Sequence, residues 1–282
     1  MIGLNYLGRM GQLGNQMFQY AAVKGVARNR GYQFTIPQHD NAVKDSLGNT
    51  LRIELFDAFD IQPDSVGFLM ADAARSEVDF SFDEDLFNNC PDGVSLVGYF
   101  QSEKYFKHIE DDIRKDFTFK KEYYDSCEEA KPLLNNPIAL HIRRGDFLIN
   151  SGNHYNLSLS YYENALKEFD SDRQVVIFSD DPKWCKQQKL FENDRFLVAE
   201  TGHPYVDMCL MTLCSDYIIA NSTFSWWGAW LSQNKNKIVI YPDKWFGPNN
   251  IDKSTKDLFP EEWRMVNENR LKEYYFYYSS KD

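Results

Sequence analysis

Positive charge is scarce in this chain. Lys and Arg number 31 against 42 Asp and Glu, a net charge of −11 over 282 residues. A nucleic-acid backbone demands a basic surface, so a general affinity for nucleic acid is disfavoured. A cysteine pattern is lacking too. Cys90, Cys127, Cys185, Cys209 and Cys214 are odd in number, irregularly spaced and without a Cys-x-x-Cys. That argues against a disulfide framework or a structural zinc site and for a reducing compartment. No stretch is long and apolar enough to cross a membrane, and residues 1–10 hold no charged leader followed by an apolar core. These absences predict a cytoplasmic protein, with peripheral association at the inner membrane left open. Neither a Walker lysine nor a nucleophile elbow is visible, which disfavours a P-loop ATPase or a phosphatase.

Apolar and aromatic residues are plentiful, at 43% and 16%. That suffices for one large domain or two medium ones with real cores. Ring faces also stack on the apolar faces of sugars, although core filling accounts for most of them.

Along the chain, residues 2–7 read as a first strand, and Gly8, Gly11 and Gly14 follow at spacings of three. Residues 15–29 turn helical, with Met17, Phe18, Ala21, Ala22 and Val26 on one side. Strand, glycine turn and helix place Asn15 and Gln16 near a helix N-terminus, where free N–H groups suit an anion or a polar sugar. A simple cap is the competing role for Asn15. Residues 32–36 form a second strand, and residues 37–92 carry no clear pattern. Asp83-Glu84-Asp85 matches an Asp-x-Asp metal motif in form but follows no strand, so a solvated turn or helix start is preferred. A strand over 94–100, a helix over 101–117 and a helix over 122–134 follow. Asn135-Asn136-Pro137 breaks the last, and the domain boundary is placed there, giving 1–136 and 137–282.

The second half alternates strands at 138–143, 175–178, 196–199, 216–220 and 238–241 with helices near 160–169, from Pro182, over 206–214 and over 222–233. This predicts a parallel sheet covered on both faces. Residues after Pro248, including Trp263 and the aromatic run 274–278, would pack back on the body as a helix, with the N-terminal domain as the expected place. Trp226, Trp227 and Trp230 stand at helical spacing and read mainly as core.

One stretch changes character abruptly. Ile138-Ala139-Leu140-His141-Ile142-Arg143-Arg144-Gly145-Asp146-Phe147 starts as a buried strand, turns basic, meets a glycine and ends on a carboxylate. Arginines at the mouth of a buried strand are costly unless they meet anions. A guanidinium fork matches two phosphate oxygens, which suggests a diphosphate site. Structural arginines bonded to the protein's own carboxylates explain the pattern equally well. Ligands of open parallel sheets bind beyond the carboxyl strand ends. His141 to Asp146, Asp180 with Asp181, and Asn221 to Ser225 each close a strand, so three polar clusters would converge on one cleft.

The His-x-Arg-Arg-Gly-Asp-aromatic run resembles the signature of the α1,2-, α1,6- and protein O-fucosyltransferases. Gly11-Gln12-Leu13-Gly14-Asn15-Gln16-Met17-Phe18 resembles their N-terminal glycine-rich turn, and Phe178-Ser179-Asp180-Asp181 their acidic turn. Asn221-Ser222-Thr223-Phe224-Ser225-Trp226-Trp227 is similar to a late motif of the bacterial α1,2-fucosyltransferases, glycosyltransferase family 11. The resemblance implies an α/β, GT-B-like fold of two Rossmann-like domains facing a cleft, the first on the acceptor side and the second binding GDP-fucose. It implies inverting transfer of L-fucose from GDP-β-L-fucose to the 2-hydroxyl of a terminal galactose, on an oligosaccharide or lipid-linked glycan, in surface-glycan or O-antigen synthesis. No metal or cofactor is expected.

Under that resemblance Arg143, Asn15 and Asp146 are the catalytic candidates. Arg143 would meet the diphosphate, Arg144 would sit beside it or lock the loop through Asp146, and Asn15 would face the fucose or the attacking hydroxyl. His141, Gly14, Asn221, Ser222, Thr223, Phe224 and Ser225 join the donor site. Asp180 or Asp181 would accept from guanine, with an N-cap as the other role for Asp180. Gln16 and His154 are acceptor candidates, and Asp146 and His154 candidates for a base. Another linkage or acceptor, or a non-catalytic nucleotide-sugar or glycan-binding protein, are the competing functions.

Overall fold

The structure, a computed structural model, describes residues 1–38 and 41–268. The chain divides into two compact units. Met1–Glu122 with Asp252–Glu261 makes the first; Tyr123–Ile251 with the described residues from Glu262 makes the second.

The first unit is built on β1 (Ile2–Gly3), α1 (Leu13–Arg30), β2 (Phe34–Ile36), the hairpin β3 (Val43–Lys44) and β4 (Thr50–Leu51), α2 (Leu55–Ala58), β5 (Ser65–Val66), β6 (Ala73–Ser76), α3 (Glu84–Asn89), β7 (Val94–Val97) and α4 (Glu110–Asp116). Its main sheet runs β5-β2-β1-β7-β6, parallel throughout. Helix α1 is buried from Leu13 almost without break to Ala27, and its buried polar members are paired, Gln16 and Gln19 with backbone carbonyls and Lys24 with Asp116, as buried polar groups must be. Gly31 stops it in the left-handed region at φ 70°, its N–H returning to the Ala27 and Arg28 carbonyls, the usual glycine end. Asp83 caps α3 by accepting the Leu86 N–H, and Arg75 pairs with Asp85 at 2.9 Å. The acidic triplet is therefore a helix start.

The continuous helix expected over 101–117 is broken into two 3₁₀ turns, Glu103–Tyr105 and Lys107–Ile109, before α4. The reason is the close approach of α1. The Tyr105 carbonyl lies 1.9 Å from where a Cβ on Gly25 would stand, so the segment follows the α1 surface and Phe106 takes φ −134°.

The second unit comprises α5 (Lys121–Ala130, begun at the end of the first), β8 (Ile138–Ile142), α6 (Gly145–Ile149), α7 (Leu159–Leu166), β9 (Val175–Ser179), α8 (Pro182–Lys186), β10 (Phe196–Val198), α9 (Pro204–Thr212), β11 (Asp216–Ile218), α10 (Thr223–Leu231), β12 (Val239–Pro242) and β13 (Arg264–Val266). The sheet order is β10-β9-β8-β11-β12-β13, again parallel. Every residue of the central strand β8 is buried, the mark of a sheet covered on both faces. Trp226, Trp227 and Trp230 are all core, and Trp263 joins them with its ring 5.3 Å from Trp226.

Two boundaries differ from the sequence reading. The compact units separate after Glu122 rather than after 136. Helix α5 explains this: Tyr123 packs 5.0 Å from the His203 ring, and the Cys127 thiol faces the Val206 carbonyl at 3.6 Å. Among the described residues beyond Pro248, the chain forms no packing helix. Asp257 bonds Lys104 at 2.6 Å and the Phe82 N–H at 3.0 Å in the first unit, and β13 then adds a sixth strand to the second sheet. The run 274–278 lies outside the described residues. Among those residues no helix is long and apolar enough to cross a membrane.

Candidate functional site

The polar strand ends of the second unit do meet. Strand β8 stops at Ile142, and Gly145 opens the short helix α6 instead of a loop. Arg143 donates to Asp146 at 2.7 Å and pairs with Asp180 at 3.1 Å. The Arg144 backbone N–H donates to the other Asp180 oxygen at 2.9 Å, and its Nε donates to Asp181 at 3.1 Å. The Arg144 guanidinium also lies 3.8 Å over the Trp184 ring. Strands β8 and β9 pair Ile142 with Ser179, which is why the two arginines and the two aspartates of the next turn coincide. A Cβ on Gly145 would stand 2.6 Å from the Asp180 carboxylate. The glycine is thus needed for a close approach, and the group approached is the protein's own anion.

Three details correct the sequence reading. Asp146 locks Arg143, not Arg144. The helix cap is Asp181, which accepts the Trp184 N–H at 3.1 Å, and Asp180 is free of that duty. Both oxygens of each aspartate already accept a hydrogen bond or ion pair, so a guanine would have to use their remaining lone pairs. The arginines are neutralised as the structural alternative required. They are not sealed, however: each side chain keeps 22% of its surface exposed. Arg143 uses two of its donors here, out of five.

The neighbouring strand ends are braced by buried polar bonds. His141 is buried, with Nδ1 2.9 Å from the Ser225 hydroxyl, which donates to the Ser222 carbonyl at 3.2 Å. Burial, and then the Arg143 charge, push its pKa down to about 3, so the ring is neutral and donates through Nδ1–H. It ties β8 to the start of α10. Ser222 caps that helix by accepting the Phe224 N–H, and Thr223 is its first residue. The Phe224 ring lies 5.5 Å from His141. The Asn221 amide donates to the Tyr155 and Trp245 carbonyls, both at 2.8 Å, and so holds two loops. His154 stacks on Phe147 at 4.0 Å, and the Arg143 guanidinium lies 5.4 Å from the same ring. That places His154 beside the signature.

In the first unit, Asn15 is not a cap. Gln12 occupies that position, and Asn15 lies inside α1 with its Oδ1 accepting from Gln101 Nε2 at 2.9 Å. Gly14 is buried. Gln16, expected to meet an acceptor, is fully buried. Its amide nitrogen donates to the Gly11 and Arg52 carbonyls, and its oxygen accepts the Glu54 N–H. It staples the 52–54 segment to α1.

Two residues that touch these strand ends, Trp184 and Tyr155, carried little signal in the sequence. Trp184 sits one turn beyond Asp181. Tyr155 donates to Glu268 at 2.6 Å and accepts from Lys244 at 3.1 Å. Only the Asp-Pro-Lys-Trp helix start offered a hint, since it fixes Trp184 next to the capping aspartate. Among the described residues no three His, Cys, Asp or Glu side chains converge to hold a metal ion.

A family model described as glycosyl transferase family 11 matches residues 1–267. The O-antigen biosynthesis glycosyltransferase WbnK of Escherichia coli is 30% identical over 88% of this chain and 96% of its own length. An alpha-1,2-colitosyltransferase of Escherichia coli is also 30% identical, over 91% and 96%. Galactoside alpha-(1,2)-fucosyltransferase 1 of Bos taurus is 26% identical over 79% of this chain and 64% of its length. Among solved structures, POFUT1 in complex with GDP-fucose matches with a TM-score of 0.54 at 11% identity, covering 85% of this chain and 96% of that one. The last likeness shows a shared α/β, GT-B-like fold.

Proposed function

We propose that this chain, which belongs to glycosyl transferase family 11, moves L-fucose from GDP-β-L-fucose to the 2-hydroxyl of a terminal galactose, with inversion, during surface-glycan synthesis. The observation that carries this reading is Arg143. It stands at the carboxyl end of the central strand, aimed by Asp146 and Asp180, with donors left over.

In the proposed reaction the galactose O2 attacks C1 of fucose as the bond from C1 to the diphosphate oxygen breaks. Negative charge grows on the departing GDP, and a guanidinium already fixed there stabilises the transition state more than the ground state. Asp146 serves as the residue that aims Arg143, and the departing diphosphate takes the proton. Asn15 acts at the fucose or the attacking hydroxyl. Arg143 does the charge work that a metal does in other transferases, so the reaction proceeds in EDTA. The family match and the α1,2-transferase relatives support the sugar class and linkage.

The test is GDP release from GDP-fucose with lactose as acceptor and EDTA present. Lactose-dependent release supports the reading, and linkage analysis of the product completes it. GDP binding without release under any acceptor would instead point to a binding protein. A second reading keeps the chemistry and replaces the donor sugar with colitose, because the colitosyltransferase is as similar as the O-antigen enzyme. Competition between the two nucleotide-activated sugars for one enzyme sample decides between them.

A further inference from the structure

The start of α1 holds a second layer of organisation. Asn15 offers its Oδ1 to Gln101 at 2.9 Å, so its amide nitrogen is turned to the other side. That nitrogen lies against Gly11, where a Cβ would stand only 2.2 Å away, and Gly11 has φ 87°. Glycine at 11 is thus the condition for this amide position. Gln101 is 6% exposed, and its own Oε1 is buried without a hydrogen-bond partner. Buried acceptors are normally satisfied, yet among the described residues the Gln101 carbonyl oxygen has no partner while its N–H edge bonds Asn15.

The turn that delivers Gln101 is itself under constraint. Phe100 is buried with φ 51°, a left-handed conformation that costs a non-glycine residue free energy. Glu77, just past the end of β6, grips that turn with both carboxylate oxygens. One accepts the Tyr99 N–H at 2.8 Å and the other the Phe100 N–H at 2.9 Å. Gly98 permits this, because a Cβ there would meet the Glu77 Cβ at 2.6 Å. Gln19 closes the far side by donating to the Gly98 carbonyl at 3.0 Å.

We infer that Glu77 and Gln101 are positioning residues that set the orientation of the Asn15 amide, so that Asn15 presents N–H rather than C=O to the transferring sugar. This rests on the reading of Asn15 given above. An N–H donor suits the ring or leaving oxygen of a donor sugar, which carries lone pairs but no proton. The groups around Glu77 add a sensitivity to acid. Burial raises its carboxyl to about 7 against the pull of the two backbone N–H groups, with Asp79 and Asp83 adding to the rise. The Tyr99 and Tyr105 phenols, also shifted upward by burial and by Glu77, are neutral there. Protonation of Glu77 removes one acceptor from the Tyr99–Phe100 turn and loosens the hold on Gln101.

Two measurements test this. The first needs no substrate. The Asn15 side-chain amide signal in the nitrogen-15 spectrum should move together with the Tyr99 and Phe100 backbone amides as pH passes about 7, and should stay flat in Gln101→Leu. A flat Asn15 signal in the wild-type protein, while Tyr99 and Phe100 titrate, overturns the proposal. The second is kinetic. Gln101→Leu should lower kcat about tenfold with the donor KM little changed, and adding it to Asn15→Ala should cost almost nothing more. Losses that multiply overturn the proposal. Glu77→Gln should reproduce the low-pH state at neutral pH; where it folds poorly, Gln101→Leu carries the test. A protein without transferase activity would sink the proposed function and leave the amide titration to stand or fall alone.

Discussion

At the carboxyl end of β8, both arginines are held by aspartates. At the start of α1, Asn15 and Gln16 are held by backbone groups and by a neighbouring amide. The difference sets what each region can do. Ion pairs with a fifth of their surface in water can be exchanged for a stronger anion, and screening by salt weakens them. Neutral amides carry no net charge, so salt screening leaves their bonds almost untouched. Under the proposed function, the charged strand end would take up and release the diphosphate, and the amide end would place Asn15.

The largest effect should come from breaking the charged end. Arg143→Ala should lower kcat roughly a hundredfold or more, about 3 kcal/mol of transition-state stabilisation. Arg143→Lys should recover little, because a single ammonium cannot bridge Asp146, Asp180 and a phosphate together. Steady-state kinetics on GDP-fucose decide it, and near-normal kcat in Arg143→Ala would make the arginine purely structural.

The amide end should break differently. Gln16→Ala should cost stability, about 1–3 kcal/mol for the backbone partners left unpaired, and should leave the acceptor KM of the folded fraction unchanged. Urea unfolding and acceptor titration separate the two. An acceptor KM rising sharply at unchanged stability would restore Gln16 to the acceptor site.

The two regions also respond to acid with opposite sign. The His141 pKa is pushed below its usual 6.5 to about 3. Its contribution to stability is full above 6.5 and is lost as pH falls toward 3, by about 1.4 kcal/mol per pH unit. Glu77 is raised from 4.5 to about 7, so the stability linked to its protonated form is present below 4.5 and lost as pH rises through 7. The two oppose one another between pH 4.5 and 6.5. His141→Asn should unmask the Glu77 effect, giving a protein more stable at pH 5 than the wild type's profile would suggest, by order of 1 kcal/mol. Unfolding midpoints against pH check the sign. The smallest effect is expected from Trp184→Leu. It removes the ring under Arg144 and should raise the donor KM only a few-fold, as about 0.5–1 kcal/mol of cation–π attraction implies.

Much of the charged end was readable in the chain. A buried apolar run that turns into Arg143-Arg144 announces a strand mouth, and Asp180-Asp181-Pro182 announces a helix start. Which aspartate caps, and which arginine each aspartate meets, was not readable. Arg144 and Asp180 are 36 residues apart, and their meeting depends on the β8–β9 register. The amide end was read less well. Asn15 and Gln16 are neighbours of similar chemistry, and only the helix phase sends one toward Gln101 and the other into the interior. The broken helix over 103–109 was hidden for a related reason. Its periodic apolar residues fit a helix, but Gly25 on α1 brings the Tyr105 backbone too close for one.

Local chemistry, written residue by residue, determined the alternation of strands and helices, the parallel sheets, the basic strand mouth and the kinship to a transferase family. The tertiary structure alone decided which charges neutralise which and which edge of the Asn15 amide meets Gln101. It also sent residues 252–261 to one unit and the strand after them to the other. Those outcomes are pairings between groups distant along the chain. No periodicity encodes them, because each partner is chosen by the register of strands and the close approach of backbones.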